Sequence, residues 1–157
     1  MTPVENVVRY ISDIKQTKTQ FGSTRPYGAG FLFAGWDRIH GYQLYNTEPS
    51  GVYNTWKAHA IGQNHQSAQS SLKQYYEENF SLADGLKLII RVLKKTLDKN
   101  KLSGDNIDIL VLEAVDGELT QRLLAAKDIE AYLKVIEQEE AEEKAKSDKA
   151  KSSDMMI

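Results

Sequence analysis

Residues 25–62 read RPYGAGFLFAGWDRIHGYQLYNTEPSGVYNTWKAHAIG, and this stretch decides the fold. The near-continuous apolar run from Ala29 to Trp36 predicts a first strand, buried on both faces or in the middle of a sheet. Residues Tyr42 to Thr47 present two faces of different polarity and predict a second strand. Residues Val52 to Ile61 predict a third. The stretch therefore predicts a complete three-stranded β-meander.

Two turns join these strands. Residues 37–41, from Asp37 to Gly41, reverse the chain after the first strand. The second turn reads Glu48-Pro49-Ser50-Gly51, with proline at its second position and glycine at its fourth. Proline fixes φ at the second position of a type I turn, and glycine is preferred at the fourth, so this tetrapeptide predicts a type I turn.

A helix is predicted before the meander. Thr2-Pro3-Val4-Glu5 fits a capping box, with Thr2 as N-cap and Glu5 reaching back to the Thr2 amide. Gly22 is a plausible end of this helix. Its apolar residues recur at helical spacing and need a sheet or another helix to cover them. They are Val4, Val7, Val8, Ile11 and Ile14.

The second half of the chain predicts two helices, a hairpin and a final helix. The first helix covers residues 63–76, and Ser81 with Asp84 caps the next. The apolar stripe of that capped helix consists of Leu82, Leu86, Ile89, Ile90, Leu93 and Leu97. Asp116-Gly117 predicts a tight turn between two strands. The remaining predicted elements are strands Ile107–Leu112 and Leu119–Leu124 and a helix over Ala126–Ile136.

The end of the chain has a different composition. From Glu137 to Lys151 it contains only alanine and charged or small polar residues. Such a segment buries too little apolar surface to offset the entropy of ordering. The sequence therefore predicts a domain over residues 1–136 and a charged, disordered tail over residues 137–157. A docking element for a partner is the alternative interpretation of this tail.

Composition excludes several classes of protein. A formal net charge of −2 over 157 residues offers no concentrated basic surface for nucleic acid. The chain has no cysteine, so it has neither disulfides nor a thiolate nucleophile or metal site. No apolar run approaches the roughly 20 residues of a membrane helix, and no signal peptide is apparent. An intracellular protein of the cytoplasm and nucleus, with no cofactor and no membrane partner, is expected.

Five short motifs occur in one order with family-like spacing and resemble the alpha-type subunits of the proteasome. They are Arg25-Pro26-Tyr27-Gly28, Ala34-Gly35-Trp36-Asp37, Gly41-Tyr42-Gln43-Leu44-Tyr45, Pro49-Ser50-Gly51 and Trp56-Lys57-Ala58. The resemblance extends from about Val4 to about Ile136. The GYQLY string and the Glu/Lys-rich tail look most like the alpha type-4 branch, the third position of the alpha ring.

The resemblance implies a fold and a role. The fold is α+β, part of the four-layer αββα sandwich of N-terminal-nucleophile hydrolases, with the N-terminal part of the family's domain missing. The role is that of a non-catalytic structural subunit of the 20S core particle, or a truncated form of one, whose partners are other alpha subunits and the beta ring. Arg25, Pro26, Gly28, Gly35, Trp36, Asp37, Pro49, Ser50, Gly51, Trp56 and Lys57 are then signature positions. The first helix, with Val4, Val7, Val8, Ile11 and Ile14, is the expected ring interface.

Two other functions remain open at the level of sequence. Removal of Met1 would expose Thr2 as the nucleophile of an N-terminal threonine amidohydrolase. An isolated binding module, whose exposed sheet edge takes up a partner strand, is the other.

Three further features favour structure over chemistry. His40, His59 and His65 are too irregularly spaced for a zinc site. Gly28-Ala29-Gly30 precedes a strand and not a helix, so it predicts a strand start and not a phosphate loop. The meander's aromatic residues predict cross-strand core pairs more than a binding platform. They are Trp36, Tyr42, Tyr45, Tyr53 and Trp56.

Overall fold

The computed structural model describes residues 2–22, 25–97 and 102–154, with side chains described as far as residue 142. Within these ranges the chain forms helices and two small antiparallel sheets, which confirms the α+β class. The elements are α1 (Val4–Gln20), β1 (Phe31–Asp37), β2 (Gly41–Thr47), β3 (Tyr53–Trp56), α2 (His65–Tyr75), α3 (Leu82–Thr96), β4 (Leu110–Val115), β5 (Glu118–Leu123) and α4 (Ala126–Asp154). None of the helices in the described ranges has the length and apolar character needed to cross a bilayer.

The chain divides into two compact units. The first comprises residues 1–72 and 111–122, and the second comprises residues 73–110 and 123–157. Helix α1 and the meander belong to the first unit, whereas α3 and α4 belong to the second.

The meander forms a three-stranded antiparallel sheet in the order β1-β2-β3. Its register pairs Phe31 with Thr47, Asp37 with Gly41 and Thr47 with Tyr53. The prediction that β1 lies buried in the middle of a sheet is wrong, because β2 is the central strand of this sheet and only Asp37 of β1 is buried. The apolar composition of β1 predicts a strand that other elements cover. Among the described strands, however, β1 has a neighbour on one side only.

Both predicted turns of the meander are present. Gly41 ends the first with a φ of 68°, and Gly51 ends the second with a φ of 89°. The Gly51 amide donates to the Glu48 carbonyl at 3.0 Å, as in a closed four-residue turn. Strand β3 is shorter than predicted and ends at Trp56, not Ile61. Beyond it, the Ala60 amide donates to the Gln69 side chain at 3.1 Å instead of to a neighbouring strand.

The N-terminus of α1 is capped differently from the prediction. Pro3 occupies the N-cap position with φ −55° and ψ 142°, and the Thr2 side chain makes no capping hydrogen bond. The Thr2 capping box is therefore wrong. The first helical amide, Val4 N–H, donates to the Asp37 carboxylate at 3.2 Å. The helix ends at Gln20, close to the predicted end at Gly22.

The capping box of α3 is confirmed. The Asp84 amide donates to Ser81 Oγ at 3.2 Å, and the Ser81 amide donates to Asp84 Oδ2 at 3.3 Å. The predicted stripe of α3 is only partly correct, because Leu82, Ile89 and Leu97 are exposed. The buried residues form two stripes at i, i+4 spacing and not one, so α3 buries more of its circumference than a simple amphipathic helix. They are Leu86 with Ile90, and Leu88 with Val92.

The predicted hairpin forms with shifted boundaries. Strand β4 begins at Leu110, whereas the prediction begins it at Ile107. Ile107, Ile109 and Val111 are nonetheless buried in alternation, as the sequence pattern indicates. Asp116 and Gly117 have φ values of 52° and 79°, so both central residues of the turn are left-handed, as in a type I′ hairpin.

Helix α4 continues beyond its predicted end. The sequence ends it at Ile136 and predicts a disordered tail, whereas the structure is helical to Asp154. Alanine, glutamate and lysine are strong helix formers, so an anchored helix propagates through such a segment. Residues 155–157 lie outside the described residues, and the division of the chain at residues 136 and 137 stays a prediction.

A pair of glycine substitutions tests how tightly α1 lies on the sheet. A Cβ at Gly51 would lie 2.6 Å from the Ser12 carbonyl oxygen of α1, whereas a Cβ at Gly41 would meet no atom within 4 Å. Both positions have positive φ. We expect Gly51→Ala to lower the free energy of unfolding by roughly 2 kcal/mol or more beyond Gly41→Ala, since only the former adds a steric clash to backbone strain.

Urea unfolding of the two variants measures this difference. Equal losses for the two alanines would contradict the close packing of α1 on the turn.

Candidate functional site

The carboxylate of Asp37 is the point at which α1, β1 and β2 meet. Asp37 ends β1 and is only 3% exposed. Its Oδ2 accepts from Val4 N–H at 3.2 Å and from Gln43 Nε2 at 2.6 Å. Its Oδ1 accepts from the amides of Ile39 and His40 at 2.9 and 2.8 Å. One side chain therefore caps the helix, closes the β1–β2 turn and holds a residue of β2.

These donors set the protonation state of Asp37. The His40 amide, the Gln43 side chain and the other amides lower the pKa of the Asp37 carboxyl to about 2, although burial opposes the shift. Tyr45 hydroxyl donates to Gln43 Oε1 at 2.9 Å, which orients the Gln43 amide towards the carboxylate. The group is thus held as an anion next to the positive end of the α1 dipole.

Two glycines of the signature let α1 approach the sheet. A Cβ at Gly35 would lie 2.7 Å from Val4 Cγ2. A Cβ at Gly51 would lie 2.6 Å from the Ser12 carbonyl oxygen and 2.8 Å from the Gln16 nitrogen. Gly51 therefore makes room for the backbone of α1, and Gly35 makes room for the Val4 side chain.

Lys15 holds the C-terminal half of α1 to the sheet. It is 2% exposed, and its Nζ donates to Thr47 Oγ1 at 2.8 Å and to the carbonyl oxygens of Ala29 and Glu48 at 2.9 and 3.3 Å. The ammonium also lies 4.3 Å from the centre of the Phe31 ring. Burial lowers the pKa of Lys15. Sequence reasoning missed this residue, and its one signal is a lysine at helical spacing from Val8 and Ile11, on the apolar side of α1.

The predicted interface residues of α1 divide between two sides of the helix. Val8 is completely buried, and Val4 lies against Gly35. Val7 is 47% exposed, while Ile11 and Ile14 are partly exposed. Tyr10 is 67% exposed. It was missed, although its i+3 spacing from Val7 and i+4 spacing to Ile14 are the signal for a shared face. We call Val7, Tyr10, Ile11 and Ile14 the outer face of α1.

The meander's aromatic residues lie on both sides of the sheet. Tyr45 is buried, and its ring centre is 6.2 Å from that of Tyr53, on the side of α1. Trp36 pairs across the strands with Tyr42, as predicted, but Tyr42 and Trp56 are exposed. The core prediction therefore holds for Tyr45 and is wrong for Tyr42 and Trp56. The side opposite α1 remains largely uncovered, and its residues are Leu32, Ala34, Trp36, Tyr42, Leu44 and Trp56.

The other signature positions are spread over this unit, and two of them, Pro49 and Trp56, line an open cleft of about 500 Å³. Arg25, Pro26 and Gly28 lie in an exposed segment before β1. Pro49 and Ser50 form the exposed turn before Gly51, and Lys57 is exposed after β3. The Gly28–Gly30 segment leads into β1 as predicted.

His59 and His65 line one cleft, whereas His40 lies at the β1–β2 turn. His40 Nδ1 is 3.6 Å from Asp37 Oδ1, His59 stacks on Trp56 at 4.3 Å, and His65 Nδ1 is 2.9 Å from the Gly62 carbonyl. Burial, together with His65, lowers the pKa of His59. Among the described residues, no three side chains of the metal-ligating types come together in a metal site. Thr2 is exposed just before α1.

Comparison with known proteins adds a family to this geometry. Residues 1–112 match the family model described as "Proteasome subunit". The chain is 49% identical to proteasome subunit alpha type-4 of Spinacia oleracea over 107 residues, 68% of this chain and 43% of that protein. It is 48% identical to proteasome subunit alpha type-4-A of Arabidopsis thaliana over the same shares of each chain.

A third relative is matched over a longer segment. Proteasome subunit alpha type-4 of Dictyostelium discoideum is 38% identical over 142 residues, 90% of this chain and 57% of that protein. The chain thus spans about half the length of the curated relatives it matches, between 43% and 57%.

The depressed pKa of Asp37 generates a pH-dependent prediction. A carboxyl whose pKa is lower in the folded than in the unfolded chain contributes stability above its unfolded pKa, and this is lost as pH falls through the folded pKa. With an ordinary value of 3.8 and a folded value of about 2, the loss falls between about pH 4 and pH 2. We expect Asp37→Asn to be less stable than the natural chain at pH 6 and to show a flatter profile in this window.

Urea midpoints measured from pH 2 to pH 6 check this, with Asp13→Asn on the exposed side of α1 as the matched control. The control should retain the slope of the natural chain. A slope in Asp37→Asn equal to that of the control would exclude the capping role.

Proposed function

Because the chain belongs to the proteasome subunit family, we propose that it is a non-catalytic alpha-type subunit of the 20S core particle and supports intracellular protein degradation through ring assembly. The observation that carries the proposal is the docking of α1. Three signature positions, Gly35, Asp37 and Gly51, all contact or make room for this helix. Their common task is to fix one helix at one place on the sheet.

A fixed helix presents a fixed outer face. Val7 and Tyr10 are exposed, and together with Ile11 and Ile14 they form an apolar strip that follows the helix axis. Exposed apolar strips on a rigid element are characteristic of protein interfaces, where tyrosine is enriched. The outer face of α1 is the proposed contact with neighbouring ring subunits.

The uncovered side of the sheet supports the sandwich fold. Leu32, Tyr42 and Trp56 are exposed there, and β1 has one free edge among the described strands. An apolar sheet face of this kind packs on a second sheet in layered α+β domains. We therefore assign the sheet to one inner layer of a four-layer αββα sandwich. In this assignment, other parts of the family's domain contribute to the second sheet.

Non-catalytic function is supported by the environment of the threonines. Thr2 precedes a helix and not a strand. Lys15 Nζ is 2.8 Å from Thr47 Oγ1, which resembles a lysine–threonine pair, but Thr47 is completely buried and Lys15 nearly so. A nucleophile must reach its substrate, so this pair serves packing and not catalysis. Other alpha subunits and the beta ring are the proposed partners, in the cytoplasm and nucleus.

Co-assembly tests the proposal. We expect the chain, co-expressed with the other alpha-type subunits, to enter ring-sized complexes detected by native mass spectrometry. Replacing the exposed Val7 and Tyr10 by aspartate should reduce incorporation at least tenfold, since charges would be buried in an apolar interface. Aspartate at Gln16 and Gln20, which are exposed on a different side of the same helix, is the matched control and should leave incorporation unchanged.

A monomer that never joins other alpha subunits would contradict ring assembly and favour an isolated binding module. The same preparations, incubated with fluorogenic peptides beside a Thr2→Ala variant, separate the catalytic alternative. Turnover that depends on Thr2 would overturn the non-catalytic function, whereas incorporation without turnover agrees with it.

A further inference from the structure

Helix α3 carries a line of cations along one face. Lys87, Arg91 and Lys94 are spaced by four and three residues, so their side chains lie on the same side of the helix. We call these three residues the basic ridge. Lys95 lies beside it and donates to the Tyr75 hydroxyl at 2.7 Å, with its ammonium 4.4 Å from the Tyr75 ring centre.

The basic ridge is occupied by glutamates of α4. Lys87 Nζ is 2.8 Å from Glu139 Oε1, and Arg91 donates to the other oxygen of Glu139 at 3.1 Å. Lys94 Nζ is 3.0 Å from Glu140 and 3.6 Å from Glu137. The Glu139 contact raises the pKa of Lys87. Each cation of the ridge therefore has a carboxylate from the same short segment of α4.

The attachment of this segment depends on charge. Ile129 and Ile136 are buried and anchor the first part of α4. Residues 137–142 read EQEEAE and contain no large apolar side chain. Partly exposed ion pairs contribute little stability each and weaken with salt. The glutamates are therefore held weakly enough for carboxylates of another protein to replace them on the basic ridge.

An open cleft adjoins the ridge. It has a volume of about 320 Å³, and its walls combine the aromatic and apolar side chains of Tyr75, Phe80 and Leu88 with charged ones, among them Glu77, Asp84 and Arg91. Arg91 lies 5.7 Å from the Tyr75 ring centre. A helix on the ridge thus meets cations for its carboxylates and, beside them, apolar and aromatic surface for a neighbouring side chain.

We propose that the basic ridge is a docking site for an acidic helical segment of a partner protein, and that residues 137–140 of α4 occupy it in the free chain. Because these glutamates belong to the same chain, they compete with a partner at an effective concentration on the order of millimolar. A partner binds the basic ridge only if it outcompetes the glutamates or if they have first left the ridge. This function of α3 is separate from the outer face of α1 and from ring assembly.

The test uses a fluorescein-labelled peptide that copies residues 133–142, LKVIEQEEAE, and the whole chain. Fluorescence anisotropy at low salt measures its binding. We expect the variant E137Q/E139Q/E140Q, which frees the ridge, to bind the peptide at least tenfold more tightly than the natural chain. Adding K87Q/R91Q/K94Q to that variant should abolish the gain, and 0.5 M salt should reduce it.

Matched controls separate docking from net charge and from misfolding. The variant E118Q/D128N/E130Q makes the same charge change at exposed positions and should bind no better than the natural chain. A peptide with glutamines in place of glutamates should not bind. Circular dichroism confirms that each variant is folded before it is scored. Equal affinity in the freed-ridge variant and in its charge control, or a gain that survives loss of the ridge cations, would overturn the proposal.

Discussion

The Asp37 carboxylate is the contact on which the docking of α1 depends. It is nearly inaccessible to solvent, yet it has four polar donors within 2.6–3.2 Å. Those donors come from the start of α1, from the β1–β2 turn and from β2. A buried carboxylate is stable only when its oxygens accept hydrogen bonds. Moving any one donor away would leave the buried charge without one of its partners, so the carboxylate holds all of its donors in place. One acid therefore couples a local turn to a tertiary contact.

The rest of the unit maintains the same arrangement. Gly35 and Gly51 leave room for α1 on the sheet. Lys15 ties the second half of the helix to the carbonyl oxygens of Ala29 and Glu48. Because both halves are attached, α1 cannot rotate without breaking buried hydrogen bonds. The outer face of α1, with Val7 and Tyr10 exposed, is thus a consequence of contacts made on the opposite side of the helix.

Sequence patterns predicted the structural features that depend on neighbouring residues better than those that depend on contacts between distant residues. The Glu48–Gly51 turn, the Ser81–Asp84 capping box and the Asp116–Gly117 hairpin depend on neighbouring residues and are present. The cap of α1 could not be predicted, because its acceptor lies 33 residues away and replaces a plausible Thr2 cap. Helical periodicity placed Val7 and Val8 in one apolar stripe, although Val8 is buried and Val7 is exposed. Periodicity identifies the apolar side of a helix, but it does not tell which part of that side the sheet covers. The sequence predicts the glutamates of α4 to be solvated, whereas in the structure Lys87 and Lys94 of α3 pair with Glu139 and Glu140.

Amide hydrogen exchange in Asp37→Ala tests most directly whether this carboxylate holds α1 on the sheet. We expect the amides of α1 to exchange at least tenfold faster than in the natural chain, whereas those of α3, in the other compact unit, keep their rates. Unchanged protection of α1, or an equal acceleration in α1 and α3, would contradict it.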